Sequence, residues 1–144
     1  MFAAHLSTHA GALATIECDL GRYDKAAPLA EESSLLGAPD DVATQVIWRG
    51  AKGRVLAHSG SLEAGERLAR EAVRLAEQTD ALLFQGDALM ELADVLRMAG
   101  KESKAREAVM AALALYEQKG SVALAKKART LVEELTAEPL AERD

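Results

Sequence analysis

Aromatic residues are scarce in this chain of 144, which holds one Trp, two Tyr and two Phe. A core without rings must be filled by small and aliphatic side chains, and here these are mostly Ala and Leu. Proline occurs only at Pro28, Pro39 and Pro139, so long stretches are free of helix breakers. The lone Cys18 excludes an internal disulfide and fits a reducing, cytoplasmic setting. No apolar run reaches the ~18 residues of a membrane-spanning helix, and Met1-Phe-Ala-Ala-His lacks the basic start of a signal peptide. Positive charge is outweighed, because a formal net charge of −6 repels phosphate and disfavours a nucleic-acid partner. Also missing are a GxxxxGK[ST] phosphate loop, an HExxH zinc helix and a GxSxG elbow. These absences point away from an enzyme, a metal or a cofactor.

What is present reads as helix almost throughout. Residues 2–20 carry Leu6, Leu13, Ile16 and Leu20 at helical spacing, which predicts one buried stripe. Gly21 breaks the pattern, Asp24 is placed to cap a second helix with Pro28 near its first turn, and that helix runs to Leu36. After the Gly37–Asp41 loop, Asp41 opens a third helix that stops at Ser59-Gly60, and Ser61 is placed to cap the fourth. Thr79-Asp80 is the expected cap of a fifth helix, Gly100 separates it from a sixth, and Gly120-Ser121 precedes a seventh. The folded domain is expected to span residues 1–136, with 137–144 as a flexible tail.

Self-similarity is the strongest signal. Gly21, Gly60 and Gly100 stand 39 and 40 residues apart. Seven residues before each comes Ala14, Gly53 or Ala93, and five after comes Ala26, Gly65 or Ala105, always small. Two antiparallel helices joined by a tight turn approach closely only where facing side chains are small. Five residues before each turn stands a β-branched residue (Ile16, Val55, Val95), and fifteen after stands Leu36, Leu75 or Leu115, late enough to pack on the following pair. One such pair cannot bury both faces, so neighbours must stack.

Leu89-x-x-Leu92-Ala93-x-x-Leu96 followed by Ala105-x-x-x-Val109 resembles the tetratricopeptide pattern, with Leu96 and Val109 in place of its Tyr and Phe. The first repeat has Glu17 and the second Lys52 at usual core positions, the closing Pro is absent, and the spacing exceeds the family's ~34 residues. The resemblance, over about residues 3–136, implies a right-handed α-solenoid of three antiparallel helix pairs and a C-terminal capping helix, all-α with seven helices. Arg70–Asp80, Gly86–Arg97 and Ala114–Gly120 also resemble the extended repeats of large bacterial regulators that join an ATPase to a nucleotide-cyclase or DNA-binding domain. That likeness implies a sensor or scaffold segment of a signalling protein, as an alternative to a free-standing interaction module.

In tetratricopeptide folds the first helix of each pair lines a concave groove. Carried over by distance from each turn glycine, the groove residues are Thr8, Gly11, Thr15, Cys18 and Asp19, then Ile47, Gly50, Arg54, Ala57 and His58. The third repeat supplies Asp87, Met90, Asp94, Arg97 and Met98. Arg54, His58, Asp87, Met90, Asp94, Arg97 and Met98 form the candidate peptide-binding set, where mixed charge and two methionines suit a protein or peptide partner. His5 and His9 sit at i and i+4 without the context of a metal site. Trp48 reads as core. The basic residues Arg49, Lys52, Arg54, Arg67, Arg70 and Arg74 interleave with Glu63, Glu66, Glu71 and Glu77, as a salt-bridged solvated face does. The first helix is apolar on more than one side, through residues that include Phe2, Ala3, Ala4, Leu6 and Leu13. A terminal repeat should be polar outside, so this end is expected either to pair with a second copy or to continue a longer solenoid.

Overall fold

The computed structural model describes residues 2–142, with side-chain surroundings for 5–136. Seven helices follow in order: α1 Phe2–Asp19, α2 Tyr23–Leu36, α3 Val42–His58, α4 Leu62–Ala76, α5 Leu82–Met98, α6 Glu102–Lys119 and α7 Val122–Glu142. The fold is all-α. Every well-packed helix pair is one or two places apart along the chain: α1 touches α2 and α3, α3 touches α4 and α5, and α7 packs on α6. The odd helices α1, α3 and α5 thus lie side by side, and α2 and α4 each fill the space to the next odd helix.

The turns are made alike. Gly21, Gly60, Gly100 and Gly120 take φ of +75°, +97°, +75° and +83°, a left-handed conformation that side chains disfavour. After each glycine, the next amide donates to a carbonyl five residues back: Arg22 to Glu17, Ser61 to Leu56, Lys101 to Leu96 and Ser121 to Tyr116. The expected caps divide differently. Asp41 accepts from the Thr44 amide at 3.2 Å and caps the start of α3 as foreseen. Asp24 and Ser61 make no side-chain cap, because the glycine turn delivers the chain directly into α2 and α4. Thr79 stabilises the turn before α5 by accepting from the Ala81 amide, while Ala81 occupies the cap position. Pro28 lies inside α2, past its first turn and exposed. The helix carries through Pro139 to Glu142, and the side chains of the expected tail, 137–144, lie outside the described residues.

Small residues set the helix spacing, as the repeat predicts. Ala14, Ala26, Ala93 and Ala105 are completely buried, and Gly53 and Gly65 meet in the middle pair. A Cβ on Gly65 would lie 2.6 Å from the Gly53 carbonyl oxygen, and one on Gly53 would lie 2.8 Å from the Gly65 carbonyl oxygen. Around these contacts runs a core rich in Ala, from α3 to α7, with Leu92, Leu96, Val95, Val109, Tyr116 and Leu135 as its bulkier members. A second cluster joins Ala14, Cys18, Ala26, Ala30 and Ala51.

Helix α1 turns its other face inward from the one its leucines suggest. Ser7, Ala10, Gly11, Ala14 and Cys18 are buried, and Leu6, Leu13, Ile16 and Leu20 are exposed. The reason is again close approach: a Cβ on Gly11 would come within 2.9 Å of Ile47 Cγ2, which leaves no room for a leucine between α1 and α3. Hydroxyls tie α1 to both neighbours, Ser7 donating to the Ser33 carbonyl of α2 at 2.7 Å and Thr8 sharing a 2.8 Å hydrogen bond with Thr44 of α3. The side chains of Phe2, Ala3 and Ala4 lie outside the described residues. Trp48 is half-buried rather than core, its indole N–H donating to Gln45 and its ring covered by Arg49 at 4.3 Å. Leu36, expected to pack on the next pair, is exposed, whereas Leu75 packs against the core.

Alanine favours a helix over glycine by about 1 kcal/mol. Gly65→Ala is nevertheless expected to destabilise, because the new methyl meets backbone that cannot yield. A net loss of about 1–3 kcal/mol should appear as a lower urea midpoint at unchanged slope.

Candidate functional site

The odd helices line a groove of about 420 Å³. Thr15, Ile16 and Asp19 come from α1, Ile47, Gly50 and Arg54 from α3, and Phe84, Asp87, Met90 and Glu91 from α5, with Tyr116, Leu124 and Lys127 closing one side. An adjoining hollow of about 220 Å³ shares Asp19, Arg54, Met90, Glu91 and Lys127 and adds Asp94, Arg97 and Leu131. The walls of the larger hollow are mostly apolar, and the charged residues Asp19, Arg54, Glu91 and Lys127 are common to both hollows.

Arg54 organises those charges. Its side chain, only 8% exposed, donates through Nε to Asp94 at 2.9 Å and pairs through an Nη with Asp19 at 2.8 Å. Burial alone would lower the guanidinium pKa, but Glu91 and Asp94 more than offset this and the value is raised. Cationic Arg54 thus binds α1 and α5 to α3.

Glu91 reaches from α5 onto Gly50, whose missing side chain leaves the space its carboxyl fills. Its Oε2 is buried and has no hydrogen-bond partner. Burial pushes its pKa up from 4.5 to about 8; Arg54 acts against this, and Asp19, Asp87 and Asp94 add to it. Glu91 is accordingly protonated at neutral pH. Beside it, Asp87 accepts from the Tyr116 hydroxyl at 2.7 Å, and burial together with that bond raises the tyrosine pKa. The Tyr116 ring lies over Gly86, where a Cβ would come within 2.5 Å of it. The Cys18 thiol sits against the Ala51 carbonyl at 3.7 Å, and burial pushes its pKa up to about 11, so it is held as the unreactive thiol.

Of the candidate set, Arg54, Asp87, Met90, Asp94 and Arg97 converge here. His58 instead stacks on Tyr23, with ring centres 3.9 Å apart and planes within 12°. Met98 packs against the core. Among the wider groove positions, Gly11, Cys18 and Ala57 are buried in helix contacts rather than presented to the groove. Glu91, Tyr116 and Lys127 were not anticipated. For Glu91 a signal existed: at the same distance before the turn glycine, the other repeats have Ala12 and Ala51, so a carboxylate stands where small residues are the rule. Tyr116 and Lys127 lie on α6 and α7, outside the first helices of the pairs.

The basic stretch is an ion-paired surface. Arg49 meets Glu71 at 3.2 Å, Lys52 meets Glu31 at 3.0 Å, and Glu66 takes both Lys101 at 2.9 Å and Arg70 at 3.4 Å. The Lys101 hydrogen bond holds the Glu66 carboxyl below its ordinary pKa. Among the described residues no three His, Cys, Asp or Glu side chains are grouped to hold a metal ion, and no helix is long and apolar enough to cross a membrane. No protein-family model matches this chain, and no curated protein matches its sequence. What the groove does has to come from its own chemistry.

Two substitutions test that chemistry. Arg54→Met strands two carboxylates that keep some contact with water, and it should cost somewhat less than the ~3–5 kcal/mol of breaking a fully buried pair. Thermal melts at low and high salt check the loss. Glu91 is protonated in the fold up to about pH 8 but ionises near 4.5 when unfolded. Its stabilising contribution is full below the unfolded value and declines as pH rises between the two, by at most about 1.4 kcal/mol per unit. It levels off above pH 8. Glu91→Gln should lack this slope and overtake the natural chain in melting temperature as pH rises from 5 to 8.

Proposed function

We propose that this chain is a non-catalytic interaction module of tetratricopeptide type, which receives a segment of another protein in the groove along α1, α3 and α5. The observation that supports this reading is convergence. Residues at repeated distances from three turn glycines (Asp19, Arg54, Met90, Asp94, Arg97) line two adjoining hollows that share Asp19, Arg54 and Met90. Ile16, Ile47, Phe84, Met90 and Leu124 offer apolar contact for alternate side chains of a bound segment. Asp87 is exposed at one end and Arg97 lines the other, so a segment that pairs with both binds in one direction.

Selection from a displayed peptide library tests the proposal. Peptides enriched on the natural chain should share an apolar core flanked by opposite charges. Binding should fall at least tenfold on the double variant Asp87→Ala, Arg97→Ala, which leaves the Arg54 pairs in place and the far-ultraviolet circular dichroism unchanged. Absence of any enriched sequence, or equal affinity for the variant, would count against the groove as the binding site.

A further inference from the structure

A second surface has no part in that groove reading. Leu6 and Leu13 on α1 and Leu20 in the turn that follows it are 44%, 48% and 57% exposed. Seven-residue spacing puts them on one line along the helix, as in the seam of a two-helix pair. Position by position this face is one that the fold covers elsewhere. Eight residues before its turn glycine, Leu13 is 48% exposed, and its counterpart Leu92 in the third repeat is 4% exposed. Leu92 is packed into the cluster that contains Ala69, Ala72, Val73 and Ala76 of α4, so in the third repeat this position is covered by a neighbouring helix.

The pattern on α1 also says what kind of helix fits. The leucine line is symmetric about Leu13: a two-fold axis there sets Leu6 of one copy against Leu20 of the other and Leu13 against itself. The same operation puts His9 opposite Glu17, and so brings the uncharged first half of α1 to the end that carries Glu17 and Asp19. Between Phe2 and Ile16 the helix has no Asp, Glu, Lys or Arg, so this is a face on which a chain of net charge −6 can meet its like without repulsion. We propose that α1 docks against α1 of a second copy in antiparallel orientation, making a two-fold dimer centred on Leu13.

Sedimentation equilibrium and engineered cross-linking test this together. The natural chain should approach twice its 15.3 kDa mass at high micromolar concentration, and Leu13→Asp with Leu20→Asp should return it to 15.3 kDa with unchanged circular dichroism. Leu13→Cys should cross-link to itself on mild oxidation, whereas Leu6→Cys alone should not, and a mixture of Leu6→Cys with Leu20→Cys chains should. This second measurement does not depend on how well the aspartate variant folds. A natural chain that stays at 15.3 kDa throughout, an aspartate variant that still dimerises, or cross-linking of Leu6→Cys to itself in preference to Leu13→Cys would each overturn the proposal.

Discussion

Everything in this molecule depends on how near two helix backbones can come. Within each pair the contact is made by alanine or glycine, and in the middle pair by Gly53 against Gly65 with no side chain between. Such contacts yield little hydrophobic energy per residue, but alanine and glycine lose almost no side-chain entropy on burial. The bulkier core members fill the corners that close packing leaves. The same constraint rotates α1 so that its small residues face inward and its leucines face out.

The groove follows from this spacing and is made costly by its charges. Four carboxylates line the groove: Asp19, Glu91 and Asp94 stand around one buried cation, and Asp87 lies beside Glu91. The arrangement is tolerable because Arg54 neutralises two of them, Tyr116 donates to a third, and Glu91 keeps its proton. A lysine in place of Arg54 would lack the planar fork that serves two acids on different helices at once.

Much of the fold was legible because glycine at a left-handed turn is a backbone requirement that sequence cannot hide. Gly21, Gly60 and Gly100 mark the hairpins, and the small residues at fixed distances from them mark the contacts. The direction in which α1 faces was not legible: Leu6, Leu13 and Leu20 have the same period whether or not anything covers them. Capping by Ser61 failed as an expectation because a cap is a local preference and the glycine turn already fixes the chain's entry. In the groove, Arg54, Asp94 and Arg97 could be placed by repeat position, but the pairing of Arg54 with Asp94 required the helix spacing. Tyr116 lies on the second helix of its pair and Lys127 on α7, so a groove read from the first helices could not point to them.

A stack of helix pairs held only by neighbouring contacts melts as a series of weakly linked units, each end fraying on its own. Arg54 changes that. It grips Asp19 on α1 and Asp94 on α5, two helices with no substantial packing on each other. Opening the first pair therefore withdraws a counter-ion from a cation that the third pair also needs, and the reverse holds as well. A single side chain gives the array a next-nearest-neighbour coupling, so it should unfold more nearly as one cooperative body than its layout of successive contacts implies.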